Sequence, residues 1–110
     1  MKKFIALYMM PASAMAEMMK NSTPEDRKAS MGEWVEWTKA HKEIVDIGAP
    51  LGKNKRVAAG GTTDISNEIG GYSFIEAESS EAATAIMADS PHLKMPGAYV
   101  EIMECLSMGV

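Results

Sequence analysis

Apolar residues fall into short runs along this chain, separated by turn residues. The run at residues 4–10 is apolar at every position, which is typical of a strand buried on both faces. Residues 69–77 open with a glycine pair and are rich in aromatic and β-branched residues, and residues 98–105 partly alternate, so both are predicted as strands. Residues 56–59 are predicted as a short, weakly apolar strand that ends at a second glycine pair.

Residues 23–47 are predicted to form one long amphipathic helix. Its start combines a threonine N-cap, a proline and two acidic residues, and Gly48 is expected to stop it. Trp34 and Trp37 recur at helical spacing, and His41 shares their face, so His41 is interpreted as a core residue. Residues 79–88 are predicted as a second helix rich in small residues, and residues 12–20 as a short helical turn.

The resulting order is strand, helix, strand, strand, helix, strand. This order predicts an α+β fold, the ferredoxin-like βαββαβ arrangement, as a single domain spanning residues 1–110. In that arrangement both helices cover one face of a four-stranded antiparallel sheet. The remaining face then has to be covered by something else.

The alternation of side chains along a strand divides the predicted sheet into two sides. The side expected under the helices holds Ile5, Leu7, Met9, Ser73, Ile75, Val100 and Ile102. The opposite side is expected to hold Phe4, Ala6, Tyr8, Met10, Tyr72, Phe74, Glu76, Tyr99, Glu101 and Met103. The second set is too apolar to face water, so we predict a homodimer in which two sheets meet face to face and enclose a cleft or barrel.

Charge and cysteine content narrow the function classes. The net charge of −4 argues against nucleic-acid binding, and the one local basic cluster, Lys53, Lys55 and Arg56, is interpreted as a solvated turn. The overall composition is that of a soluble globular protein, so no membrane partner is expected. A single cysteine, Cys105, suits a reducing compartment, from which we predict a cytoplasmic location and a structural thiol.

The first sixteen residues resemble a secretory signal. Two lysines, an apolar run and a small-residue segment follow one another in the order of such a signal. The apolar run has seven residues, which is the short limit for an export signal. We therefore interpret it as the first strand, with an export signal as the alternative.

Four segments together resemble the YCII-related proteins, in particular the branch named after a DGPF motif. They are the opening strand at residues 3–10, the glycine turn at residues 46–49, the Ile-Gly-Gly-Tyr segment at residues 69–72 and the Val-Glu-Ile segment at residues 100–102. The resemblance implies a dimeric α/β-barrel fold and leaves the activity open. The Asp-Gly-Pro-Phe signature is absent, and Gly61-Thr62-Thr63-Asp64-Ile65-Ser66 stands in its region. The family's proposed histidine and aspartate pair is not carried over, because tryptophans occupy that part of the helix.

Three side chains are the candidate catalytic groups: His92, Glu101 and Tyr8. His92 lies in a loop beside the last strand and could exchange a proton near neutral pH; the alternative is a loop-packing histidine. Glu101 falls on the apolar side of the sheet, where a carboxylate must be paired or neutralised, so it is either a proton-transfer group or an intersubunit hydrogen-bond partner. Glu76 is expected at the rim of the same cleft.

The expected ligand-binding side chains line that cleft: Tyr72, Phe74, Tyr99, Glu76 and Met103. No zinc-type ligand spacing and no phosphate loop are present in the sequence, so neither a metal nor a cofactor is expected. The methionines are interpreted as core filling. The sequence names no reaction; it predicts a small-molecule-binding dimer, which as an enzyme would transfer a proton or hydrolyse its substrate. Alternatives are a non-catalytic dimeric module and, by fold analogy, a cofactor-free monooxygenase.

Overall fold

The computed structural model describes residues 1–108, except for the side chain of Met19. Within this range the strands are β1 (Lys2–Met9), β2 (Ile44–Asp46), β3 (Lys55–Ala58), β4 (Gly61–Asp64), β5 (Ile69–Ala77) and β6 (Tyr99–Glu104). The helices are α1 (Ala12–Asn21), α2 (Pro24–Ala40) and α3 (Ser80–Met87), and a 3₁₀ turn spans Pro91–Lys94.

Four strands form the main sheet in the order β2-β5-β1-β6, and every neighbouring pair is antiparallel. This is the strand order of a ferredoxin-like α+β fold, so the predicted fold class is confirmed. The segments predicted for β1, β5, β6, α1 and α3 all form, with ends that shift by one or two residues.

The second strand of the sheet is a correction to the sequence-based prediction. The predicted long helix ends at Ala40, and Ile44–Asp46 leaves it to pair with β5. β-Branched residues such as Ile44 pack well on a pleated sheet, and the amide of Glu76 donates to the Glu43 carbonyl at 2.8 Å. The residues predicted as the second sheet strand instead form β3, which pairs with β4 in a separate hairpin.

Side-chain caps fix the starts of α2 and α3. Thr23 accepts a hydrogen bond from the Asp26 amide at 3.1 Å, and the Asp26 carboxylate accepts one from the Thr23 amide at 3.0 Å, which together make a capping box. At α3, the Ser79 hydroxyl accepts from the Ala82 amide at 3.1 Å. These local signals explain why both starts were predictable from the sequence.

The alternation along β1 was assigned in reverse. Cross-strand partners share a face, and Phe4, Ala6 and Tyr8 lie opposite Ile75, Ser73 and Gly71. All six are buried. The side of the sheet under α2 and α3 therefore carries these β1 residues. Tyr8, Ala6 and Ile75 form one core cluster with Trp37 of α2 and with Ile86 and Met87 of α3. The uniformly apolar run of β1 gives no alternation by which its faces could have been told apart.

The opposite side of the sheet, which we call the open face, is not covered by any helix. It carries five large apolar side chains: Ile5, Leu7, Tyr72, Phe74 and Met103. The molecule is flat, with principal extents of 44 × 42 × 19 Å, and its radius of gyration of 15.5 Å exceeds the ~13 Å expected for a compact chain of this length. The flat shape and the uncovered apolar surface are consistent with each other.

Candidate functional site

His92 lies at the centre of a buried polar and aromatic group on the covered side of the sheet. The imidazole is 6% exposed, and its Nε2 lies 2.8 Å from the Met9 carbonyl oxygen. A carbonyl can only accept, so Nε2 must carry the proton. In the neutral imidazole this leaves Nδ1 with the lone pair, and no described residue hydrogen-bonds to Nδ1. The neutral ring is thus held in one tautomer, and its basic nitrogen, Nδ1, accepts no hydrogen bond from the described residues.

Tyr8 lies beside His92, with ring centroids 5.3 Å apart. Its hydroxyl donates to Ser73 Oγ at 2.8 Å, and Ser73 Oγ donates to the Ile47 carbonyl at 2.6 Å. Burial raises the pKa of Tyr8 above its ordinary value of 10.0, and the hydrogen bond to Ser73 partly opposes that rise. The phenol is therefore a neutral, directed hydrogen-bond group at physiological pH.

Helix α2 supplies an aromatic wall for this group. Trp34 meets Tyr8 edge-on at 5.0 Å, and Trp37 meets Trp34 edge-on at 5.5 Å. Trp34 is half-buried, so the wall reaches the surface. Two buried polar atoms of this region, Trp37 Nε1 and Ser90 Oγ, have no hydrogen-bond partner among the described residues. Unpaired buried donors and acceptors are costly and are satisfied in most native proteins by water or a ligand.

The structure does not bring the three predicted catalytic side chains together. His92 and Tyr8 are neighbours, but Tyr8 is under the helices rather than in the predicted sheet-face cleft. Glu101 lies opposite Leu7 on the open face and is exposed, so it is separated from the other two by the sheet. Within one protomer, the three predicted side chains therefore do not form a single site.

The predicted ligand-binding residues stay on the open face. Tyr72 and Phe74 pack edge-on at 5.8 Å, and the Lys3 ammonium lies 4.6 Å from the Phe74 ring centre. Tyr99 is half-buried; desolvation, a hydrogen bond to Glu68 and the charges of Glu68 and Glu101 all raise its pKa. The two remaining members of the predicted set are exposed on this side: Glu76 and Met103.

Two other side chains differ from their predicted settings. His41 is only partly buried: it is the C-cap residue of α2, and its ring centroid lies 5.6 Å from that of Trp37. Its Nε2 is 3.6 Å from the Asp89 carboxylate, and its Nδ1 is 4.0 Å from the Glu43 carboxylate. Cys105 is exposed just beyond β6.

Two surface grooves lie beside α1, and neither is lined by His92, Tyr8 or Glu101. The larger has a volume of about 350 Å³ and lies between α1 and the base of the β3–β4 hairpin. Its lining includes Met15, Leu51, Lys53 and Ile65. The smaller, of about 220 Å³, lies along the other side of α1.

No cluster of three or more histidine, cysteine or acidic side chains among the described residues is arranged to hold a metal ion. Within the same range, no helix has both the length and the apolar character needed to cross a membrane.

Sequence reasoning missed Ser73 and Trp34 as members of the His92 group. Ser73 was placed on the correct side of the sheet but was given no role. A serine among apolar strand residues indicates a hydrogen-bonded site, because a buried hydroxyl needs hydrogen-bond partners. Trp34 was assigned only to the core.

Comparison with known proteins identifies a fold and leaves the family open. No family model and no curated protein matches the chain. Among solved structures, the chain resembles 5-chloro-2-hydroxyhydroquinone dehydrochlorinase from Burkholderia phenoliruptrix AC1100, in complex with 2,5-dihydroxybenzoquinone. The TM-score is 0.55 at 17% sequence identity, and the match covers 99% of this chain and 97% of that one. This likeness and the strand order establish the α+β, ferredoxin-like fold.

Proposed function

We propose that this protein is a homodimeric enzyme that binds a small planar molecule and transfers a proton without a cofactor, with His92 as the base. The observation that carries the proposal is the Nε2–H···O=C bond to Met9, which orients the imidazole and leaves Nδ1 as its basic atom. A positioned base with an ordinary imidazole lone pair contributes ~10²–10⁴-fold to a proton transfer.

The neighbouring side chains suit a flat, hydroxylated ligand. Trp34 and Tyr8 offer aromatic edges and faces, and the Tyr8 hydroxyl is a neutral polar group of fixed direction. The structurally similar dehydrochlorinase was solved with 2,5-dihydroxybenzoquinone, a ligand of this chemical class. Because the group is buried, a ligand can enter only if α2 and the Pro91–Lys94 turn separate. An exposed salt bridge between Lys94 and Glu33, at 3.2 Å, connects these two elements.

The dimer is proposed from the open face. Five large apolar side chains on one uncovered side form a patch of the kind that marks an interface, and a second copy of the chain would cover it. The order of elements and the fold also support the proposed relationship to YCII-related proteins. Light scattering at micromolar concentration should give the mass of a dimer, and a monomer there contradicts this part of the proposal.

The catalytic role of His92 can be tested with a matched pair of variants, His92→Gln and His41→Gln. The chain has two histidines, and of these His92 belongs to the buried group. Calorimetric titration with 2,5-dihydroxybenzoquinone should show saturable binding that is at least about tenfold weaker in His92→Gln and unchanged within about twofold in His41→Gln. Deuterium exchange into the ring carbons of the probe should slow by about 100-fold in His92→Gln only.

Nitrogen NMR of the imidazoles supplies the structural control. The proposal requires the neutral His92 ring to carry its proton on Nε2 and not on Nδ1, and the Nδ1 signal should shift on binding. Equal affinity and exchange in wild type and His92→Gln, or a proton on Nδ1 in the neutral ring, contradicts the role of His92.

A non-catalytic dimeric module is the second candidate. It is favoured by one observation: His92 is 6% exposed and lines neither of the two grooves beside α1. Under this alternative the wild-type protein dimerises but binds no planar probe.

A further inference from the structure

The β3–β4 hairpin, which we call the arm, stands apart from the main sheet. Among residues 1–108, its strands pair with each other and with no strand of that sheet, and all eight of their residues are exposed. Val57 at its centre is 80% exposed. An isolated two-stranded hairpin is marginally stable in water, so an arm of this kind is expected to gain its stability from a covering surface.

From these features we infer that the arm reaches across the proposed dimer and lies on the partner copy's β6, with Arg56 next to the partner's Glu101. The inference rests on the homodimer proposed above and assigns contacts within it. It is independent of the proposed role of His92.

Charge complementarity selects this partner surface. The arm and the residues before it carry Lys53, Lys55 and Arg56 against a single acid, Asp64, which pairs with Lys55. Arg56 has no ion-pair partner among the described residues. Strand β6 carries Glu101 and Glu104 and no base. Glu104 pairs with Lys2 of its own chain at 3.4 Å, whereas Glu101 has no ion pair within residues 1–108.

Interface area is the second argument. The four strands have 8, 3, 9 and 6 residues. At about 3.3 Å per residue and about 4.8 Å between strands, they give the open face a flat area of roughly 400 Å². A standard interface covers roughly 800 Å² on each partner. The sheet alone would leave the dimer short of contact, and two arms, one from each copy, would supply the difference.

The arm is long enough for this role. Four residues per strand and the turn extend about 15 Å, while packed sheets lie about 10 Å apart. Each arm can therefore cross the layer between the two sheets and reach the partner's strand.

The test is a charge exchange between Arg56→Glu and Glu101→Arg, measured as the dimer dissociation constant by sedimentation at low salt. Each single variant should weaken the dimer about tenfold or more, since like charges then meet, and the double variant should return to within about threefold of wild type. The control Lys28→Glu makes the same charge change as the first variant on the exposed surface of α2 and should leave the constant unchanged.

Hydrogen exchange of the arm amides gives a readout that does not depend on substitutions. Exchange in β3 and β4 should be slower in the dimer than in protein diluted to the monomer. If wild type dimerises but Arg56→Glu has the affinity of wild type, or the arm amides exchange equally fast in both states, the arm inference is wrong and the dimer stands. If wild type is monomeric at every accessible concentration, the proposed dimer and the arm contact both fail.

Discussion

Both sides of the sheet carry large apolar side chains, but helices cover only one of them within residues 1–108. On the covered side, buried β1 and β5 side chains pack against residues of α2 and α3, and the Tyr8 hydroxyl, the Ser73 hydroxyl and His92 Nε2 each have a hydrogen-bond partner within the protomer. On the open face, aromatic and aliphatic side chains pack only against their neighbours, and the acids are exposed. The covered side thus holds the fold together within one chain, whereas the open face is available for association.

The strongest contrast should appear when a large apolar residue is truncated on each side. Phe4 is fully buried against Ala77 and Ala83, so Phe4→Ala should cost about 3–5 kcal/mol of unfolding free energy at any protein concentration. Met103→Ala, on the open face and 49% exposed, should change the unfolding free energy of the monomer by less than about 1 kcal/mol.

Urea unfolding followed at two protein concentrations separates these effects. Under the proposed dimer, Met103→Ala should lose stability only at the higher concentration, where dimer forms. An equal, concentration-independent loss in both variants would mean that the two sides contribute alike to folding, which contradicts the contrast.

Polar substitutions on the two sides of the sheet should differ less in unfolding free energy than the apolar truncations do. Ser73→Ala removes the acceptor of the Tyr8 hydroxyl and the donor to the Ile47 carbonyl, and should cost about 1–3 kcal/mol in thermal or urea unfolding. Glu76→Gln on the open face should stay within about 0.5 kcal/mol of wild type. A loss of similar size in Glu76→Gln would show that the open face has a buried polar network that the single protomer lacks.

The smallest effect is the pH dependence of stability from Tyr8. Because burial raises the pKa of Tyr8 above 10.0 in the folded state, this group's contribution is complete below about pH 10 and is lost as the pH rises through the folded pKa. Tyr8→Phe should flatten that alkaline decline, measured by urea unfolding between pH 8 and pH 11.5. Ser73→Ala, which removes the interaction that lowers the pKa of Tyr8, should steepen it. An alkaline decline that persists unchanged in Tyr8→Phe would assign it to other groups.

The parts of the fold that the sequence predicted are those with a local signal. The glycine pair before Tyr72 marked the start of the β5 pattern, and the hydroxyls of Thr23 and Ser79 marked two helix starts. The parts that failed depend on contacts between distant residues. Nothing between His41 and Glu43 breaks a helix, and only pairing with β5 shows that Ile44 belongs to a strand.

The same limit applies to the candidate site: its local features could be predicted from the sequence, but its contacts between distant residues could not. His92 could be singled out from its loop position, but the carbonyl that orients it belongs to Met9, 83 residues away in the chain. Tyr8 was recognised as a polar aromatic in an apolar strand, and its side of the sheet could not be read from a run without alternation. Glu101 was placed on the correct side, and its distance from His92 followed only from the register of β1 with β6.

The shortness of β2 affects how readily further strands can add to this edge of the sheet. β2 is an outer strand of three residues with an irregular register, and it runs into Gly48, whose positive φ of 75° turns the backbone away. Such an edge offers no straight row of free amides and carbonyls on which further chains could stack into fibrils. Growth of the sheet by repeated edge addition is thereby disfavoured on that flank.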